Sequence, residues 1–195
     1  MGRLIMKNML RNFVFVLMLV GLGFWGCSDS LVTEPQNVSV EQTGESSLSK
    51  TNGSIPYELS VTKTINGEKG GIVVLAGIYK NKDEQIITTI ATLTIPRGAF
   101  EGKREISITT DKSDPVLNFS PEQDFKIPLK LNLTFIGFDL KALGLNETNT
   151  RFNWIKDDGK TESVLNDGIN VEVTRGSLTV KGALLEHFSR FGFTR

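Results

Sequence analysis

The sequence predicts an all-β chain: an antiparallel two-sheet β-sandwich behind a cleaved leader and a disordered tether. Three observations carry this. From Tyr57 onward the apolar residues recur with period two, as on a pleated surface with one buried face. Turn residues recur at short, regular intervals. Helical spacing is confined to a candidate turn at Asp139 to Leu143. At 195 residues, 39% hydrophobic and 23% charged, the chain suits one ordinary globular domain.

Residues 1–26 read as an export signal. Arg3, Lys7 and Arg11 form a positive front, followed by the 13-residue apolar run from Phe13 to Trp25 and the small Gly26. That run is shorter than the roughly 18–20 residues a permanent span needs, and a polar stretch follows it. All 22 acidic residues lie beyond the signal, together with 19 of the 22 basic ones, so the remainder is mildly acidic. Such a balance argues against a nucleic-acid partner.

The single cysteine, Cys27, stands where the apolar run ends and precedes Ser28, Asp29 and Ser30. This arrangement resembles a bacterial lipoprotein lipobox, with Phe24 and Trp25 where that family usually has Leu and Ala or Ser. The resemblance implies cleavage before Cys27, a diacylglycerol on its thiol and an acyl chain such as palmitate on its amine. Each buried methylene contributes about 0.8 kcal/mol to such an anchor. The alternative is a free cysteine behind an ordinary signal, on a soluble exported protein. Residues 27–56 are rich in Ser, Thr, Asn, Gln, Glu and Gly, and bury too little apolar surface to offset their ordering entropy. As a flexible linker they would hold the body about 30 Å from the lipid.

Residues 57–195 form the predicted sandwich. Ile127, Leu129, Leu131, Leu133 and Phe135 alternate with Pro128, Lys130, Asn132 and Thr134; Ile87, Ala91, Leu93 and Ile95 oppose Thr88, Thr92 and Thr94; Ile106 and Ile108 flank Ser107. Turns are expected at Asn66-Gly67, Gly70-Gly71, Asn81 to Asp83, Pro96 to Gly98, Asp157 to Gly159, Asp167-Gly168 and Arg175-Gly176, separating roughly eight or nine strands. Pro96 ends a strand because it cannot donate to a ladder, and Gly98 permits the turn that follows. Pro128 inside a good strand points to an edge or a bulge. Phe152 and Trp154 share one side of a strand, as core residues would.

The order of several segments is informative: Gly70-Gly71 before a strand, Ile95-Pro96-Arg97-Gly98-Ala99, Phe119-Ser120-Pro121, Phe152-Asn153-Trp154, and the terminal His187-Phe188-Ser189-Arg190-Phe191. This succession resembles the ZU-five domain, a β-sandwich module of zonula occludens, netrin-receptor and ankyrin proteins that also occurs in bacterial surface proteins. The resemblance covers roughly residues 70–193 and implies an interaction or scaffolding role. In some ZU-five-type domains the same His-Phe-Ser tripeptide is a self-cleavage site. By that resemblance Ser189 would attack the carbonyl of Phe188 with His187 assisting proton transfer. The alternative is structural, with Phe188 packed inward and His187 and Ser189 satisfied at a strand end.

Other chemistries are poorly served. One histidine and one cysteine leave no zinc set, and neither a phosphate loop nor a GxSxG elbow is present. Asp111, Asp114, Asp124, Asp157, Asp158 and Asp167 would supply carboxylates for a calcium site, but Asp157-Asp158-Gly159 and Asp167-Gly168 lack the spacing of a calcium loop and read as turn residues. The Asn-x-Ser/Thr triplets at Asn37, Asn52, Asn118, Asn132 and Asn146 read as polar surface. The expectation is therefore a non-enzymatic lipoprotein of a bacterial cell envelope, the outer membrane favoured over the inner. It needs no cofactor or metal, is held to the membrane by lipid, and contacts a protein or surface polymer.

Overall fold

A computed structural model describes residues 54–195. The signal, Cys27 and the linker as far as residue 53 lie outside the described residues. The body is all-β, with eleven strands: β1 (Ser60–Asn66), β2 (Gly71–Lys80), β3 (Ile86–Ile95), β4 (Lys103–Thr110), β5 (Val116–Ser120), β6 (Asp124–Ile136), β7 (Arg151–Ile155), β8 (Thr161–Ser163), β9 (Gly168–Glu172), β10 (Ser177–His187) and β11 (Arg190–Thr194). They form a six-stranded sheet, β1-β4-β5-β11-β7-β8, and a five-stranded sheet, β2-β3-β6-β10-β9, in which every pairing is antiparallel.

The strand count exceeds the expected eight or nine for local reasons. All three residues of β8 are exposed, so it carries no alternation to read. Only Val171 is buried in β9. Between β10 and β11 stand only Phe188 and Ser189, with no Gly, Asn or Pro to mark a break. Over that two-residue step the chain leaves one sheet for the other, and β11 enters between β5 and β7.

The two inner faces supply the core. Leu129, Leu131, Leu133 and Phe135 of β6 meet Ile87, Ala91, Leu93 and Ile95 of β3 and Ile106 and Ile108 of β4, all at most 2% exposed. Each such large side chain contributes about 1.5–3 kcal/mol by leaving water. Ile127 departs from the expected pattern: it is 43% exposed. The β6–β3 ladder has ended by Thr94↔Lys130, and the β6–β10 ladder shifts register between Leu185↔Leu129 and His187↔Asp124. Pro128 lies in that irregular stretch, where a missing N–H breaks no ladder bond. Gly98 has φ +84 in the turn closed by Ala99 N–H donating to the Pro96 carbonyl, at 3.2 Å, as its position after Pro96 requires.

A second irregularity lies in β10. Leu178 and Val180 face the core, and so do Ala183 and Leu185; the inward parity changes from even to odd across Lys181 and Gly182. Gly182 lies at φ +59 and donates its N–H to Asn132 Oδ1 at 2.9 Å. The bulge, fastened by Asn132, sends Leu185 rather than Leu184 inward. Asn132 is thus more than the polar surface expected of it. Asn132→Ala should cost about 1–3 kcal/mol in a denaturant melt, because the Gly182 N–H loses its acceptor.

The helical turn expected at Asp139 is a single one. Asp139 Oδ1 accepts from the Lys141 and Ala142 N–H groups, and Leu143 N–H reaches the Asp139 carbonyl at 3.1 Å. Gly144, at φ +67, then donates to Lys141 O while Leu145 donates to Leu140 O, a paired C-terminal stop.

Where the described chain enters the body, the Pro56 carbonyl accepts from Lys80 N–H at 2.8 Å and Tyr57 Oη donates to Glu84 at 2.6 Å. Lys80 Nζ lies 2.7 Å from the other Glu84 oxygen. These hydrogen bonds from Lys80 and Tyr57 hold the Glu84 carboxyl below its ordinary pKa. A depressed carboxyl stabilises the fold above its unfolded pKa and loses that contribution as pH falls through the folded one. A carbon-13 titration should show Glu84 protonating below a typical glutamate, and Lys80→Ala should move it upward.

Candidate functional site

Phe188 is the structural centre of the corner between β10 and β11. It is fully buried, stacked on Phe119 at 5.4 Å and edge-on to Phe125 at 4.7 Å between ring centroids. Its N–H donates to the Gln123 carbonyl at 2.8 Å, and the Ser189 carbonyl accepts from Phe119 N–H at 2.9 Å. Both peptide groups beside the Phe188–Ser189 bond are therefore anchored. His187 lies against the Trp154 ring at 4.2 Å and the Phe191 ring at 5.5 Å. Among the described residues no side-chain hydrogen bond joins His187 to Ser189. The tripeptide thus supplies an aromatic cornerstone.

Beside this corner Glu122, Gln123, Asp124, Trp154, His187 and Phe188 line a shallow cleft of about 370 Å³. Trp154 Nε1 and Gln123 Nε2 are buried without a hydrogen-bond partner, so the corner has unsatisfied donors and an acidic rim. Phe152 is a core residue as expected, whereas Trp154 is half-buried, with Lys156 Nζ 4.6 Å above its ring. Next to the same corner, Arg190 Nη2 reaches Asp111 at 3.1 Å and Asp114 at 4.0 Å.

Asp111 and Asp158 cap turns, Asp167 is ion-paired beside one, and Asp124 opens β6. Asp111 Oδ1 accepts from the Ser113 and Asp114 N–H groups, Asp158 Oδ1 accepts from Lys160 N–H, and Asp167 pairs with Lys130 at 2.8 Å. Among the described residues no three His, Cys, Asp or Glu side chains converge as a metal set would. Cys27, the candidate lipidation residue, is outside the described residues. No helix among the described residues is long and apolar enough to cross a membrane.

One surface was not anticipated. On the outer face of β2 and β3, Ile72, Val74, Ile78, Ile86 and Ile90 are each 50–56% exposed. The β2 segment Gly71 to Tyr79 contains no charge, and an unbroken apolar run normally marks a strand covered on both faces. Here only the odd positions Val73, Leu75 and Tyr79 are buried, and the even ones face solvent. The unbroken run was the available signal. Burial holds the Tyr79 phenol well above its ordinary pKa, so this inward side stays neutral. No family model, curated protein or solved structure matches the chain.

Proposed function

We propose that this chain is a non-catalytic lipoprotein of a bacterial cell envelope, anchored by lipid at Cys27, whose sandwich is a contact module. The observation that carries the contact role is the aliphatic row Ile72, Val74, Ile78, Ile86 and Ile90, held in water on one sheet. Contiguous apolar surface of this kind marks an interaction site more often than scattered exposed residues do. The packing of Phe188 against Phe119 and Phe125 supports a structural reading of the His-Phe-Ser corner. The anchor rests on the position of Cys27 behind an apolar leader, and the module's likeness to a ZU-five domain rests on the segment order from Gly70 to Phe193.

Two measurements test the reading. Growth with an alkyne fatty acid should label the full chain, and Cys27→Ser should abolish the label; an unlabelled wild type removes the anchor. Pull-downs from detergent-solubilised envelopes should recover binding species with the full chain and lose them with Ile90→Lys. If the residues before Tyr57 alone recover the same species, the sandwich is not the binding element.

A further inference from the structure

The two outer faces of this sandwich are not alike. On the six-stranded sheet β1 and β4 turn hydroxyls outward, with Ser60 Oγ 2.9 Å from Thr109 Oγ1 and Thr62 Oγ1 2.6 Å from Ser107 Oγ. Among the described residues no exposed large apolar side chain stands on a strand of that sheet. On the five-stranded sheet Ile72, Val74 and Ile78 share one face with Ile86 and Ile90 across the β2–β3 ladder. The linker joins the body at the margin of that face. The Pro56 carbonyl takes the N–H of Lys80, the cross-strand partner of Ile86, and the exposed Tyr57 donates to Glu84. Glu84, at φ +58, is the single non-glycine residue at positive φ among the described residues, and its carboxylate is bonded to both Tyr57 and Lys80. The root of the linker is thereby fixed beside the aliphatic row.

We infer that the outer face of β2 and β3 rests on the lipid surface that carries the Cys27 anchor, with its aliphatic row at the boundary between headgroups and acyl chains. This contact rests on the reading of Cys27 as lipidated and of this face as the contact surface, and it makes lipid the species captured through Ile90. The composition of the row favours that occupant over a protein. Protein contacts concentrate their energy in Trp, Tyr and Arg, with Val and Leu under-represented, and this row holds only Ile and Val. A bilayer boundary asks for apolar area on one side, with an amphipathic ring such as Tyr57 at its margin. The position of the linker root supplies the rest. A reach of about 30 Å keeps the face at an effective concentration of about 1 mM near the membrane, so a weak intrinsic affinity holds the body down. Charge adds little, because Lys63, Lys69, Lys80 and Lys82 around the row are offset by Glu68, Asp83 and Glu84.

The test is fluorescence quenching of the full chain, purified from membranes and reconstituted into phosphatidylcholine vesicles that carry a nitroxide-labelled lipid. A lipidated Cys27 leaves no native thiol, so a fluorophore can be placed on Val74→Cys, in the row, or on Thr64→Cys, on the opposite sheet. The Val74 position should be quenched several-fold more strongly than the Thr64 position, and to the same extent when phosphatidylglycerol is added. Ile90→Lys should lower the ratio of lipid-bound to free face roughly tenfold, with an unchanged far-ultraviolet spectrum. Equal quenching at the two positions overturns the proposal, as does Val74 quenching that is indifferent to Ile90→Lys or that appears only with phosphatidylglycerol. Should such a result accompany envelope proteins still captured through Ile90, lipid is lost as the occupant and the contact surface stands. A wild type whose Cys27 takes up the fluorophore loses the anchor; Val74 quenching that then persists with Cys27→Ser keeps the lipid contact, and its disappearance removes that too.

Discussion

Phe188→Ala should lower the unfolding free energy by about 3–5 kcal/mol and the thermal midpoint by roughly 10–20 °C. The ring is fully buried and in contact with Phe119 and Phe125, so its removal leaves a cavity between two aromatic walls. Collapse around that cavity is resisted on both sides, because the Phe188 N–H is tied to Gln123 and the Ser189 carbonyl to Phe119. Ser189→Ala removes no comparable volume and should stay within about 0.5 kcal/mol of wild type. If the Phe188 and Ser189 variants melt together, the corner is not the cornerstone described above. The pair also separates the two roles of the tripeptide. Intact-mass spectra should be the same for wild type and Ser189→Ala, and a wild-type species ending at Phe188 would restore the self-cleavage reading.

Gly182→Val should cost about 3 kcal/mol or more. At φ +59 a β-branched residue is strained whatever space surrounds it. Its Cβ would also overlap the Asp167 carboxylate and come within 2.7 Å of Lys130 Cε. The Lys130–Asp167 pair would have to open, and the bulge that sets the parity of β10 would be pushed from its acceptor on Asn132. A one-residue slip sends every side chain beyond it to the opposite face, so the damage extends beyond the loss of one turn. Chemical denaturation checks the magnitude, and hydrogen exchange of the Ala183 to His187 amides should show faster opening there than in β3. Equal protection in both strands would count against a role for the bulge in holding register.

Much of this architecture is legible in the sequence because a pleated, half-buried strand writes period two directly. The β3 and β6 alternations, the turns at Asn66, Pro96 and Asp157, and the inward Phe188 follow from residue order alone. Legibility stops where the period is broken by geometry: in Leu178 to His187 the lone Gly182 is a mark of a bulge but does not say that the inward parity changes there. It stops again where strands join without punctuation, as at Phe188-Ser189, or are too short to alternate, as in β8. The corner was visible as a tripeptide but not as a cluster of rings, because strand parity says which face a residue takes and not which rings stand beside it. Contacts such as Arg190 with Asp111, 79 positions apart, and Gly182 with Asn132, 50 apart, depend on which strands become neighbours. The β2 surface was hidden for another reason. An uncharged run has the same spelling whether both faces are covered or only one.

The seat of β11 bears on when this molecule can assemble. Arg190 to Thr194 bond to β5 on one side and to β7 on the other, so without them the larger sheet is two unconnected fragments, β1-β4-β5 and β7-β8. The larger sheet is therefore complete only once these five residues have paired on both sides. Until then its two parts are linked through the common core alone and not through a continuous ladder.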